Sequence, residues 1–252
     1  MRLEERRLLK LGLIVAAVGA MVPVIYLTGI VFLGFSVAPH PVAEKTPAPA
    51  LIKDAIWTRA GGGRAKKLRS INPVSMAQFV TCMALATGDE DFRGDNHGKC
   101  DHLMPAIYGL EYFSAVHLRE HGVQRYSFRG GAGSMATMLR LTHSWTREDL
   151  LNTLAARADF GYGWRGVDSA ARGFFGRSSA ELTLAQVAFI ASRVGDTGTD
   201  PWCETDAAIG MRNRVLTGMR DNGLIAESDF QSASTAELGL VSPPEGRPAC
   251  GK

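Results

Sequence analysis

The apolar positions of this chain change rhythm at residue 38. From Leu11 to Val37 they run on with no charged side chain among them, and the run exceeds the roughly 20 residues that a helix needs to cross a hydrocarbon layer. A transmembrane helix is therefore expected over residues 11–37, with Pro23 a kink of the kind bilayer helices tolerate. Residues 38–50 then hold four prolines among small residues, the composition of a semi-extended spacer. Gly61-Gly62-Gly63 and the cations Arg59, Arg64, Lys66, Lys67 and Arg69 follow, so residues 38–70 read as a linker whose basic part suits anionic head groups.

Beyond Ser70 the apolar residues recur at helical spacing. Asn72-Pro73 can start a helix that continues to about Thr87. A second runs from Met104 to about His121 and stops at Gly122. Thr146-Arg147-Glu148-Asp149 has the form of a capping box with Asp in place of Glu. Thr183 to Gln186 opens a helix that ends at Gly195, Asp206 to Asn222 forms another that stops at Gly223, and a short one begins at Ser228. No alternating strand pattern of any length occurs. An all-α domain over residues 71–240 with a tail at 241–252 is expected.

Charge fixes the orientation. Arg2, Arg6, Arg7 and Lys10 crowd the flank before the apolar run, against Glu4 and Glu5, and the positive-inside bias leaves residues 1–10 in the cytoplasm and the domain in the periplasm or outside the cell. A cleaved leader ending near Ser36-Val37-Ala38 is the alternative, but the run is well beyond a leader core of about 7 to 15 residues. Net charge is +3, and four minus two of it lies in that flank, so the domain is nearly neutral and nucleic acid is not its expected partner.

Cys82, Cys100, Cys203 and Cys250 make an even set for a disulfide-permitting compartment. Three pairings are possible, and the spacings favour Cys82 with Cys100 and Cys203 with Cys250. Neither pair has the short spacing of a structural zinc site.

The string Phe160-Gly161-Tyr162-Gly163-Trp164-Arg165-Gly166-Val167, then Ala170-Ala171, Phe174-Phe175-Gly176-Arg177 and Leu182-Thr183-Leu184-Ala185-Gln186 resembles the second half of glycosyltransferase family 51, the peptidoglycan transglycosylase domain of penicillin-binding proteins. Arg212, Arg214, Val215, Leu216, Met219, Gly223 and Ile225 follow that family's later pattern loosely. The resemblance implies a lysozyme-like helical domain that joins lipid-linked disaccharides. Its matching residues are mostly glycines and core side chains, which speak to architecture more than to chemistry.

The chemistry belongs to the first half, which is degenerate. The family's motif Glu-Asp-x-x-Phe-x-x-His-x-Gly, whose Glu is the general base, corresponds to the stretch from Gly88 to Gly98. With Asp89 and Phe92 on the motif's Asp and Phe, Gly88 stands where the base should be. With Glu90, Asp91 and His97 on its Glu, Asp and His, Glu90 is the base and Gly94 replaces the Phe. The preceding Leu85-Ala86-Thr87 favours the first register, which leaves the domain inactive. The same acidic cluster has only a weak likeness to a calcium loop, since Arg93 and Cys100 occupy ligand positions. The second motif, Gly-Gly-Ser-Thr-Ile-Thr-Gln-Gln-Leu, resembles Gly131-Ala132-Gly133-Ser134-Met135-Ala136-Thr137-Met138-Leu139, with both glutamines lost. About thirty family residues, the second catalytic Glu among them, have no counterpart between Leu139 and Thr146.

The resemblance implies Glu90 as candidate base, and Asp91, His97, Ser134 and Arg140 as candidate substrate-binding residues around a donor diphosphate, where a divalent cation could assist. The implied partners are a lipid-linked peptidoglycan precursor or glycan strand, the membrane, and a cell-wall synthesis protein. A non-catalytic envelope scaffold and a lysozyme-like glycan-cleaving enzyme are the other function classes, the latter with one Glu as general acid.

Overall fold

The computed structural model describes residues 28–30, 32–72, 75, 78, 81, 82, 85, 100, 103, 104, 106–246 and 250. Helices account for its regular structure: α1 (Ala50–Arg59), α2 (Ile107–Glu120), α3 (Phe128–Ser144), α4 (Arg147–Arg157), α5 (Val167–Phe175), α6 (Leu184–Ser192), α7 (Thr205–Asp221) and α8 (Glu227–Thr235), with a 3-10 turn at Ser179–Glu181. Residues 32–37 are helical as well. Among the described residues there is no strand, only the isolated bridge between Asp159 and Arg165, so the all-α expectation holds.

Two compact units arise from this chain. Met1–His40 with Ser114–Thr137 make one, and Pro41–Phe113 with Met138–Lys252 the other. The larger unit is organised by α6, whose run of Ala, Val, Phe and Ile leaves seven of its nine residues buried. Such a helix needs walls on every side. α7 and α1 supply the two largest, α8 and α5 the others, and α1 also packs on α7 and α4. Phe174 meets Phe189 edge-on at 5.1 Å between ring centroids, and both are fully buried.

Helix α1 departs from the linker expectation. Ile52, Ala55, Ile56 and Trp57 are all buried, Trp57 to 1% exposure. Arg147 lies over the Trp57 ring at 4.9 Å and binds Asp54 at 2.9 Å. A short helix between Pro49 and Gly61 without a marked apolar stripe is easily hidden by its flanks, since composition there is dominated by proline, glycine and cations. The spacer before it is also fixed: the Glu44 and Ala48 amides donate to Thr153 Oγ1 and Asn152 Oδ1.

The capping signals act as expected. Thr146 Oγ1 accepts from the Asp149 amide at 3.1 Å, and Asp149 Oδ2 accepts from the Thr146 amide at 2.9 Å. Thr183 and Gln186 do the same for α6. Asn72 and Ser75 exchange side-chain and backbone bonds at 2.9 Å each, as a helix start requires. Gly122, Gly195 and Gly223, the predicted stops, adopt φ of 73°, 81° and 72°, the left-handed region open to glycine.

In the smaller unit, small residues allow close backbone approach. A Cβ on Gly34 would lie 2.1 Å from the Ala132 carbonyl oxygen, and one on Gly133 would lie 2.9 Å from Leu118 and 3.0 Å from Val37. His117 is buried, its Nε2 bonded to the Pro39 carbonyl at 3.0 Å. This explains why the glycine-rich stretch Gly130 to Gly133 sits inside helix α3 rather than in a loop. Among the described residues no helix is long and apolar enough to cross a membrane. The span expected over residues 11–37 lies, through residue 27 and at residue 31, outside the described residues.

Both disulfides form as the spacing favoured, Cys82 with Cys100 and Cys203 with Cys250. Closing the longer loop constrains the unfolded chain more. Replacing Cys203 and Cys250 together by Ser should lower stability by about 4 kcal/mol in the chain-entropy estimate, read by urea unfolding. The Lys45 ammonium on Asp149, with help from the Thr146 amide, holds the Asp149 carboxyl at about 2. Because its folded value lies below its ordinary one, this group stabilises above about pH 4 and loses the effect as pH falls towards 2. Wild type should therefore lose more stability across that window than Asp149→Asn, with unfolding followed at each pH.

Candidate functional site

Two of the five candidate residues lie in the described part of the chain, both on α3. Ser134 Oγ accepts from the buried Ser114 hydroxyl at 2.9 Å, and Ser114 also reaches the Ser134 carbonyl at 3.2 Å. That pairing fixes the Ser134 rotamer and leaves the residue half-buried. Arg140 is half-buried six positions along. At about 100° per residue, this spacing sends the two side chains to different sides of the helix, so α3 does not bring them together. Glu90, Asp91 and His97, with both registers of the acidic motif, lie outside the described residues. No cluster of three or more His, Cys, Asp or Glu suited to a metal occurs among the described residues.

The glycine-rich turn that carries the resemblance has a clear local cause. Gly161, Gly163 and Gly166 have φ of 83°, 79° and 78°, and Tyr162 joins them at 54°. This tight path is closed by bonds from the Phe160 amide to the Trp164 carbonyl and from the Gly166 amide to the Ala158 carbonyl. A Cβ on Gly166 would sit 2.6 Å from the Ala156 carbonyl oxygen. The turn delivers Trp164 onto Gly173 of α5, where a Cβ would come within 2.4 Å of the indole. The string of glycines is thus a packing device that seats the aromatic residues Tyr162, Trp164, Phe174 and Trp202 in mutual edge and tilted contact. Tyr112 steadies its start, its hydroxyl accepting from the Asp159 amide at 2.9 Å.

Two arginines stand out in this unit. Arg212 is buried but satisfied, donating to the Ala236 and Ser234 carbonyls at the end of α8. Arg193, just past α6, is 1% exposed, and its Nε, Nη1 and Nη2 have no hydrogen-bond partner among the described residues. Burial pushes its pKa down; the carboxylates of Asp196, then of Asp200 and Glu204, oppose that shift without bonding the guanidinium. Sequence reasoning gave no sign of it, since nothing around Arg193 in the chain distinguishes it from a solvated helix-end cation.

An all-α domain whose glycine turn and capped core helix match a transglycosylase pattern defines the class. Residues 117–220 match the family described as Transglycosylase. The chain is similar to penicillin-binding protein 1A of Escherichia coli (strain K12), 32% identical over 101 residues that cover 40% of this chain and 12% of that protein. It is also similar to penicillin-binding protein 4 of Bacillus subtilis (strain 168), 27% identical over 115 residues, 45% of this chain and 18% of that protein. A crystal structure of penicillin-binding protein 1A from Haemophilus influenzae aligns with 29% identity and a TM-score of 0.37 over 40% of this chain and 15% of that one. The chain thus spans under a fifth of each relative's length, and the family match begins at His117, beyond the acidic motif.

A buried guanidinium without partners costs more in desolvation than its surroundings return. Arg193→Met, which keeps the volume and removes the charge, should raise stability by about 1 to 3 kcal/mol. Denaturant unfolding of the two proteins gives the sign; a fall would mean the guanidinium is satisfied in solution.

Proposed function

We propose that this chain is a membrane-anchored, peptidoglycan glycosyltransferase-like protein of cell-wall assembly that holds a lipid-linked precursor or a glycan strand, with its domain on the non-cytoplasmic side of the plasma membrane. The observation that carries this reading is the transglycosylase segment itself: residues 117–220 match the family and include the fully walled helix α6. Two disulfides agree with an oxidising compartment, and the uncharged run from Leu11 to Val37 agrees with an anchor.

A non-catalytic envelope scaffold is the second reading, and a specific observation favours it. Helix α3 carries Met135, Ala136, Thr137 and Met138 where the resembled motif has Ile-Thr-Gln-Gln, and it contains no carboxylate. Under that reading the domain binds glycan or a cell-wall synthesis protein and transfers nothing.

Polymerisation of a lipid-linked precursor, run beside a binding measurement with the same substrate, separates the two. If Glu90 is the base, Glu90→Gln should lower the rate by a factor of about 100 to 10,000 while leaving precursor binding and thermal unfolding unchanged, because the amide keeps the shape and loses the basicity. If the domain is a scaffold, wild type binds without polymerising. Gly88→Glu, which restores the motif in the other register, should then be the variant that gains activity. Absence of both binding and polymerisation would reject the proposal.

A further inference from the structure

The stretch from Gly61 to Ile71 concentrates exposed positive charge with no carboxylate beside it in the sequence. Arg64, Lys66, Lys67 and Arg69 are all exposed, and the sequence has no acidic residue between Asp54 and Asp89. Five other cations of the unit sit on carboxylates: Lys45 on Asp149, Lys53 on Glu148, Arg147 on Asp54, Arg172 on Asp168 and Arg220 on Asp221. Lys66, Lys67 and Arg69 make no ion pair or hydrogen bond among the described residues, and Arg64 spends one donor on the Asp221 carbonyl at 2.8 Å. The Asp221 carboxylate beside it is already held by Arg220.

This is a presented surface and not a loose tether. At its start the Gly61 and Gly62 amides donate to the Thr58 and Trp57 carbonyls, and Gly62 is pressed so closely under the Trp57 indole that a Cβ would come within 2.0 Å of the ring. The Ala106 amide donates to the Gly61 carbonyl from another part of the chain. At its end Ile71 is 4% exposed and its amide donates to Thr142 Oγ1 at 3.3 Å. Between these anchors four cations occupy six positions with no exposed aromatic ring to stack a base, so a nucleic acid would find charge but no platform.

We propose that the loop Arg64–Arg69 is a contact surface for the head groups of anionic phospholipids on the membrane face that the domain overlies. The inference rests on the anchored reading above, because the apolar run at Leu11 to Val37 is what would bring a bilayer within reach of the loop. Four exposed cations held at both ends complement an anionic surface, each basic residue near such a surface gaining about five-fold in partitioning. The attraction is screened within about 10 Å at moderate salt.

The full chain, reconstituted in nanodiscs of phosphatidylcholine alone or of phosphatidylcholine with phosphatidylglycerol, allows the contact to be read at single residues. Acylation of Lys66 and Lys67 by a water-soluble amine reagent, followed by peptide mass spectrometry, should be about five-fold slower or more in the anionic discs, and the difference should vanish at high salt. In Arg64→Gln/Arg69→Gln the two lysines should lose most of this lipid-dependent protection, with near-ultraviolet circular dichroism unchanged. Equal rates in the two lipids would overturn the proposal. So would equal protection in both discs and in detergent, the mark of a second copy or another protein segment over the loop, or protection by added nucleic acid but not by anionic lipid. A chain that does not incorporate into discs defeats the anchor and this inference together, whereas incorporation with equal labelling defeats the lipid contact alone and leaves precursor binding untouched.

Discussion

A helix buried on nearly all of its faces exists only if other elements wall it in, and α6 imposes that demand on the larger unit. Its Ala188 and Ala191 let neighbours approach, while Phe189 and Ile190 reach between them. Burial of such a run is worth about 25 cal/mol for each Å² of apolar surface removed from water, so the walls are held as firmly as the helix they enclose. α1 and α7 are drawn onto it, and α5 arrives through a turn that only glycine at Gly166 can complete without striking the Ala156 carbonyl. The aromatic cluster around Phe174 then closes the open side.

Much of this was legible in the residues, because the signals were local. A threonine accepting from an amide three residues on, or a glycine in the left-handed region after an apolar run, depends on its own neighbourhood. So Thr146, Thr183, Gly122 and Gly223 marked boundaries within a residue or two of where the helices end. The helix at Ala50–Arg59 was not legible, since it has no apolar stripe at helical period and its buried residues gain meaning only from α4, α6 and α7 across the chain. Helix α3 was hidden for a related reason. Its glycines look like loop residues until the close contact of Gly133 with Val37 and Leu118 supplies their purpose.

The candidate site was less legible than the fold. Ser134 lies in the motif-like stretch and Arg140 just past it, but a separation of six positions does not match the helical period, so the two do not share a face of α3. Arg193 was invisible for the opposite reason: burial of a cation is decided by what surrounds it in space, and the field of Asp196 and Asp200 reaches it only after the turn past α6 has formed.

The bonds from Glu44 to Thr153 and from Ala48 to Asn152, with Lys45 on Asp149 and Lys53 on Glu148, bear on cooperativity. Segments joined by several bonds open together, and their amides exchange with solvent at a common rate. A proline-rich spacer would ordinarily fray alone, at little free-energy cost. Here its opening requires the first turns of α4 to yield as well, so it belongs to the cooperative unit of that helix and takes on the lifetime of the domain rather than that of a tether.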